Sequence, residues 1–193
     1  MFRINKFIFV YSNEIDIYFR IVRMVFKFMF IPNKILTRLG VYLHNCFAVK
    51  AQISRKTNIS EARLSLLSNS ATARIYAQEF YLIALAIDAN IDLMAHEVFQ
   101  DAKLITVKKD VISGEKGIKE LTNFGVFLNS RLNNQITISK KTGISESRLS
   151  SLSNEQTAGL LGEELYLISL ALNTNPSISW NELYKEFRLH EKE

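Results

Sequence analysis

The chain has 193 residues, of which 48% are hydrophobic and 22% are charged, with a formal net charge of +5. This length suits one or two small domains with apolar cores, and the single cysteine, Cys46, excludes an internal disulfide and fits a reducing, cytoplasmic setting. The positive charge favours an anionic partner, but most of the excess lies in residues 1–35, which carry six Lys/Arg against two Asp/Glu.

Residues 1–35 form an apolar and basic segment without a counterpart in the rest of the chain. Basic residues recur at helical spacing over Ile15–Ile31, which predicts an amphipathic helix. Three interpretations stay open. The segment packs on the protein or forms a dimer contact, it lies on a membrane surface, or it is weakly ordered and precedes a later start at Met24 or Met29. Charges interrupt its apolar run before the ~18 residues that a span needs, so we expect no transmembrane span. A membrane surface is the least favoured partner of the three interpretations.

A long internal repeat follows this segment. Residues 36–99 return as residues 121–184, at an offset of 85 positions without a gap, and 28 of the 64 aligned residues are identical. Two copies of a unit this long predict two similar domains rather than a solenoid, which needs three or more short repeats. We expect a first domain at 36–99, a connector at 100–120, a second domain at 121–187 and a tail at 188–193.

Each repeat is predicted to contain five short helices, with a tight turn between the second and the third. In the second copy the second helix is predicted at about Gln135–Thr142, and Gly143 ends it where a left-handed residue commonly closes a helix. The counterpart of this glycine is Asn58, the next most tolerant residue for that conformation. Ser60 and Ser145 follow two residues later and are predicted to cap the third helix.

The fourth helix of each repeat is the most apolar. It is predicted at Glu79–Ala89 and at Glu163–Asn173, and a short fifth helix follows it. Trp180 and the equivalent pair Tyr81 and Tyr166 lie within apolar helices, so they are interpreted as core residues. This order of elements predicts an all-α fold.

The residues around the tight turn resemble a known family. The stretch Ile138–Leu152, with its Lys-Lys-Thr-Gly-Ile-Ser-Glu turn, and the equivalent stretch from Ile53 are similar to the core of the phage-repressor, Cro-like (XRE) helix-turn-helix family. The resemblance covers 64 residues in each copy. It implies two tandem five-helix domains of the lambda-repressor type, in which the third helix enters the major groove of DNA.

The resemblance also implies which residues contact DNA. In the second copy they are Gln135, Lys140, Lys141, Ser145, Glu146, Ser147, Arg148, Ser151 and Asn154. In the first copy they are Lys50, Arg55, Lys56, Glu61, Arg63 and Asn69. At two base-contacting positions the first copy has Ala62 and Leu66 where the second has Ser147 and Ser151, so the second copy is expected to dominate. The paired basic residues also have a structural alternative, because cations stabilise helix C-termini.

The function implied by the resemblance is that of a DNA-binding bacterial transcriptional regulator. The expected partner is double-stranded DNA, contacted chiefly by the second copy. The alternative is a protein-interaction or dimerisation module on a divergent helix-turn-helix scaffold, which the near-neutral charge of both repeats favours. A homodimer or protein partner through residues 1–35 or the first domain stays open. A covalent tandem can imitate a symmetric dimer, but the differences at the base-contacting positions favour two heads with different roles.

No pattern in the sequence indicates catalysis or metal binding. His44, His96 and His190 lack Cys or carboxylate residues at metal-ligand spacing. The serines lack the Gly-x-Ser-x-Gly pattern of a nucleophile elbow, and no Gly-rich phosphate loop is found. We therefore expect neither an enzyme nor a cofactor, metal or small-molecule ligand.

Overall fold

The computed structural model describes residues 36–105, 121–131 and 135–190. Within these ranges the regular structure is helical, apart from one isolated pair of bridged residues, and this confirms the predicted all-α class. The described residues belong to one compact unit, Leu36–Glu193. The expectations for residues 1–35 lie outside the described residues. None of the helices in the described ranges has the length and apolar character needed to cross a bilayer.

Five helices are described in each repeat, and they start at equivalent positions 85 residues apart. In the first repeat they are α1 (Arg38–Asn45), α2 (Lys50–Thr57), α3 (Glu61–Asn69), α4 (Ala77–Ala86) and α5 (Ile91–Val98). In the second repeat they are α6 (Asn123–Asn129), α7 (Gln135–Thr142), α8 (Glu146–Asn154), α9 (Gly162–Ala171) and α10 (Pro176–Tyr184).

The turn between the second and third helices has the predicted geometry in both repeats. Asn58 and Gly143 adopt left-handed conformations with φ of 61° and 76° and end α2 and α7. The side-chain oxygens of Ser60 and Ser145 then accept a hydrogen bond from the backbone N–H three residues later, at 3.2 Å in each case. These caps satisfy donors that the first turn of a helix leaves free, so they fix where α3 and α8 begin.

The third helices are anchored by leucines on one side. Leu64 and Leu149 are fully buried, and Leu67 and Leu152 are 2% exposed. Their carboxyl ends also lie very close to the first helices, because a Cβ added at Gly40 would meet the carbonyl oxygen of Ser68 at 2.1 Å. Each third helix is therefore held along its inner side, which leaves the opposite side for other contacts.

The two repeats pair through their backbones where the fourth helices begin. The N–H of Ala77 donates to the carbonyl of Leu160 at 2.8 Å, and the N–H of Gly162 donates to the carbonyl of Ile75 at 2.9 Å. This places Tyr76 opposite Leu161 in an antiparallel bridge. Ala77 and Gly162 are equivalent residues, as are Ile75 and Leu160, so the two bonds are reciprocal.

Such reciprocity indicates a two-fold relation between the repeats. In a two-fold interface the same contact is made in both directions, and a residue that meets its own equivalent lies on the axis. Tyr76 meets its equivalent Leu161 in the bridge. Asp92 also meets its equivalent Ser177, accepting from the backbone N–H and from the hydroxyl of Ser177, both at 2.8 Å. These two places define a pseudo-two-fold axis through one chain.

Aromatic residues fill the space between the repeats. Trp180 is fully buried and donates its indole N–H to the carbonyl of Ala77 at 3.0 Å, so the second repeat bonds directly to the first. The ring of Phe80 lies 5.2 Å from that of Trp180 and 5.1 Å from that of Phe99, measured between centroids. The prediction that Trp180 is a core residue is confirmed, and this core is shared by both repeats.

The segments after the fifth helices cross to the opposite repeat. The N–H of Ile105 donates to the carbonyl of Lys141 at 2.6 Å, and the N–H of His190 donates to the carbonyl of Lys56 at 2.7 Å. Ile105 and His190 are equivalent positions, although their side chains differ. The structural repeat therefore extends beyond the 64 aligned positions, and each repeat closes the end of its neighbour's second helix.

We predict that Trp180→Ala lowers the free energy of unfolding by about 3–5 kcal/mol, because it leaves a cavity between the repeats and an unpaired carbonyl at Ala77. Urea denaturation of the full chain measures this change. Leu93→Ala is the control, since Leu93 is 64% exposed and its truncation should change stability by less than about 0.5 kcal/mol. Equal effects of the two substitutions would contradict a shared core around Trp180.

Candidate nucleic-acid interface

The first turns of both third helices lie beside the pseudo-two-fold axis. The guanidinium carbon of Arg63 on α3 is 5.9 Å from the ring centroid of Tyr76, which lies on the axis. Arg63 donates to the carbonyl of Arg74, and its equivalent Arg148 on α8 donates to the carbonyl of Gly159, at 2.8 and 2.7 Å. A two-fold rotation exchanges the two repeats without exchanging the ends of its axis. Because α3 lies at the end marked by Tyr76, its equivalent α8 lies at the same end.

This end of the molecule is called the bridge face below. It consists of α3 and α8 together with the loops 70–76 and 155–161 that follow them. The exposed side chains of the third helices are Glu61, Ala62, Leu66, Glu146 and Ser147, with Ser65, Ser150 and Ser151 half-buried.

The amino ends of the second helices lie against the third helices, as the resemblance implies. The ammonium of Lys50 is 3.4 Å from the hydroxyl oxygen of Ser65 on α3. At the equivalent position, the amide nitrogen of Gln135 donates to the hydroxyl of Ser153 on α8 at 3.2 Å. The fold thus brings these two predicted residues next to the third helices, and only the first repeat has a cation there.

Arg63 and Arg148 are each held in a two-pronged ion pair. The guanidinium of Arg63 donates to both carboxylate oxygens of Glu79 at 2.8 and 2.9 Å. Arg148 makes the same contacts with Glu164 at 2.8 and 3.0 Å. These hydrogen bonds raise the pKa of both guanidinium groups. Both arginines were implied as DNA contacts, but Nε and one terminal nitrogen of each guanidinium donate within the fold.

The same two glutamates also secure the pairing between the repeats. Glu79 accepts from the backbone N–H of Tyr76, and Glu164 accepts from that of Leu161, both at 3.0 Å. Tyr76 and Leu161 are the bridged residues on the axis. Each Arg–Glu pair therefore ties a third helix to the start of a fourth helix and to the bridge.

Lys56 and Lys141 serve helix ends rather than the bridge face. The ammonium of Lys56 donates to the carbonyl of Ala86 at 3.0 Å, and that of Lys141 to the carbonyl of Ala171 at 3.1 Å. Each lysine thereby caps the last turn of a fourth helix, where a positive charge is favourable. This is the structural alternative for paired basic residues, although the helix they stabilise is the fourth and not the second.

The remaining predicted residues lie on the surface or bond locally. Arg55 is exposed and donates to the carbonyl of Ala51 within its own helix, whereas Lys140 is half-buried. Asn69 and Asn154 donate to carbonyls four residues earlier, both at 2.7 Å. Ser145 caps α8, and its hydroxyl oxygen lies 3.0 Å from that of Ser147.

Arg74 is a surface cation that the sequence patterns did not single out. It lies in the loop after α3 on the bridge face, and its side chain is exposed. Its equivalent is Gly159, where a Cβ would meet the ring of Tyr76 at 2.7 Å. The signal was present in the alignment of the two copies, which pairs an arginine with a glycine, but the family resemblance assigns no role to this position.

Two clefts lie between the repeats and are related by the pseudo-two-fold axis. Their volumes are about 460 and about 400 Å³. Each is lined by the start of the first helix and the loop after the third helix of one repeat, and by the start of the fourth helix of the other. Within the described ranges no cluster of His, Cys, Asp and Glu could hold a metal ion.

No family model, curated protein or solved structure matches this chain.

We predict that Glu79→Gln and Glu164→Gln each lower the free energy of unfolding by about 1–3 kcal/mol, because each removes the charge that pairs with a partly buried guanidinium. Thermal or urea denaturation measures the effect. Glu163→Gln is the matched control on the same helix as Glu164, since its side chain is exposed and its replacement should change stability by less than about 0.5 kcal/mol. A control effect as large as the others would contradict a structural role for the Arg–Glu pairs.

Proposed function

We propose that this chain is a DNA-binding protein, a bacterial transcriptional regulator that works in the cytoplasm. The observation that carries the proposal is the position of the two third helices, which flank one pseudo-two-fold axis at the same end of the molecule. DNA presents successive major grooves along one side of the duplex, so a protein that contacts two of them needs two recognition elements on a common face. In this proposal the two third helices on the bridge face are these elements, and both belong to a single chain.

The polar groups at the bridge face support contacts with DNA. Glu146 and Ser147 lie exposed in the first turn of α8, and Ser151 follows one turn later. A carboxylate accepts a hydrogen bond from cytosine, and a hydroxyl both donates and accepts at base edges. Lys50 and Arg74 flank α3, where cations can contact phosphates and fix the register of the helix in the groove.

In this proposal Arg63 and Arg148 are positioning residues. Their guanidinium groups are paired with Glu79 and Glu164, so releasing them to phosphates would leave two partly buried carboxylates without their cationic partners. Lys56 and Lys141 are also structural residues in this proposal, because they donate to carbonyls in the last turns of the fourth helices. The remaining residues implied by the resemblance stay as proposed DNA contacts.

A protein-interaction or dimerisation module is the second candidate function. It is favoured by Leu93 and Ile178, two apolar residues at equivalent positions on the fifth helices that are 64% and 50% exposed. Contiguous exposed apolar patches mark association sites, and these two residues directly follow Asp92 and Ser177, which are in contact with each other. Leu66, which is 50% exposed on α3, adds an apolar residue to the bridge face itself.

Selection of genomic DNA fragments with the purified full chain at two salt concentrations tests the proposal. We expect an enriched sequence and an affinity that falls about 100-fold between ~50 and ~200 mM salt, the drop for about four phosphate contacts. Selection without an enriched sequence, together with binding that does not respond to salt, would overturn DNA binding and favour the interaction module.

A further inference from the structure

We propose that the two repeats divide DNA recognition, with the first repeat holding the phosphate backbone and the second contacting base edges. This inference rests on the proposed DNA-binding function. The third helices of both repeats have nine residues and the same serine cap, so a difference in recognition between them comes from side chains at equivalent positions on the bridge face.

The cations that flank the third helix are found in the first repeat. Lys50 lies beside α3, with its ammonium 3.4 Å from Ser65, whereas the equivalent Gln135 is neutral. Arg74 is exposed in the loop after α3, whereas the equivalent Gly159 has no side chain. Lys50 thus lies beside the middle of α3, and the carbonyl of Arg74 lies 2.8 Å from the guanidinium of Arg63 in its first turn. Cations on this side of a recognition helix suit the phosphate backbone that borders a major groove.

The second repeat has an anion in the loop that follows its third helix, where the first repeat has a neutral residue. Glu155 ends α8 and is exposed, and its equivalent is the neutral Ser70, whose hydroxyl is bonded to that of Thr72 at 2.9 Å. A carboxylate at this loop repels phosphates. At these three pairs of positions the first repeat therefore carries two positive charges and the second carries one negative charge.

The capacity for base hydrogen bonds is distributed in the opposite way. The second repeat has hydroxyls at Ser147 and Ser151 on α8. The first repeat has Ala62 and Leu66 at the equivalent positions, and Leu66 is 50% exposed. Apolar side chains can contact a thymine methyl but cannot accept or donate hydrogen bonds. Both helices have an exposed glutamate in the first turn, Glu61 or Glu146, so α8 exceeds α3 by the two hydroxyls and should discriminate more between bases.

The consequence is an asymmetric DNA target. A symmetric dimer selects a palindrome because both heads have the same side chains. Here the backbone geometry is two-fold, but only the half-site under the second repeat should show strong base preferences. The half-site under the first repeat should tolerate most sequences while supplying much of the salt dependence.

Exchange of side chains between equivalent positions tests this division in the full chain. Lys50→Gln with Arg74→Gln removes the two cations that lie near α3, and Lys140→Gln removes one proposed phosphate contact of the second repeat. Ser147→Ala with Ser151→Leu gives α8 the side chains of α3, and Ala62→Ser with Leu66→Ser is the reverse exchange. Affinity for the selected DNA is measured against salt, and base preference by repeated selection; thermal melting checks that each variant is folded.

We expect the double cation variant to lower the slope of log affinity against log salt by about 2, with unchanged base preference, and Lys140→Gln to lower it by about 1 at most, the value for a single phosphate contact. The Ser147→Ala, Ser151→Leu variant should keep the slope and lose base preference, while the reverse exchange should add preferences in the other half-site. Equal loss of slope from both repeats, or a palindromic target for the unaltered chain, would overturn the division while leaving DNA binding intact. Absence of any DNA binding by the unaltered chain would overturn both.

Discussion

The structure depends on the antiparallel backbone pairing between residues 75–77 and 160–162. Two reciprocal hydrogen bonds at this place put Tyr76 opposite its own equivalent, Leu161. The fourth helices start there, and the glutamates of their first turns accept from the bridged backbone and bind the arginines of the third helices. The position of each third helix is therefore coupled to the contact between the repeats. Because of this coupling, the two repeats form one structural unit in which both third helices lie on the bridge face.

Small residues allow this close pairing, and they also make it asymmetric. A Cβ at Gly162 would meet the ring of Phe99 at 2.7 Å, and one at Gly159 would meet the ring of Tyr76 at the same distance. The glycines of the second repeat thus leave space in which aromatic rings of the first repeat pack on its backbone. Trp180 returns the contact by bonding to the carbonyl of Ala77. The two repeats fit together as complementary rather than identical partners.

The sequence predicted the helices well because local signals determine them. Left-handed residues at Asn58 and Gly143 and capping serines fix the turns, and leucine spacing fixes the buried side of α3 and α8. The pairing between the repeats was beyond the sequence, because backbone hydrogen bonds such as that of Ile105 leave no side-chain pattern. The roles of Arg148 and Lys141 were also beyond it. Their partners lie 16 and 30 positions away. A basic residue in a sequence is the same whether its side chain binds a carboxylate, a carbonyl or a phosphate.

The pairing between the repeats holds the two third helices in one fixed relation within a single chain. Pulsed electron–electron double resonance between spin labels at Ala62→Cys and Ser147→Cys, in a Cys46→Ser background, measures the distance between the exposed first turns of α3 and α8. We expect one narrow distance distribution, because the pairing fixes the two helices. Dilution should not change it, because the pairing lies within one chain. A broad distribution typical of two independently moving domains would contradict it.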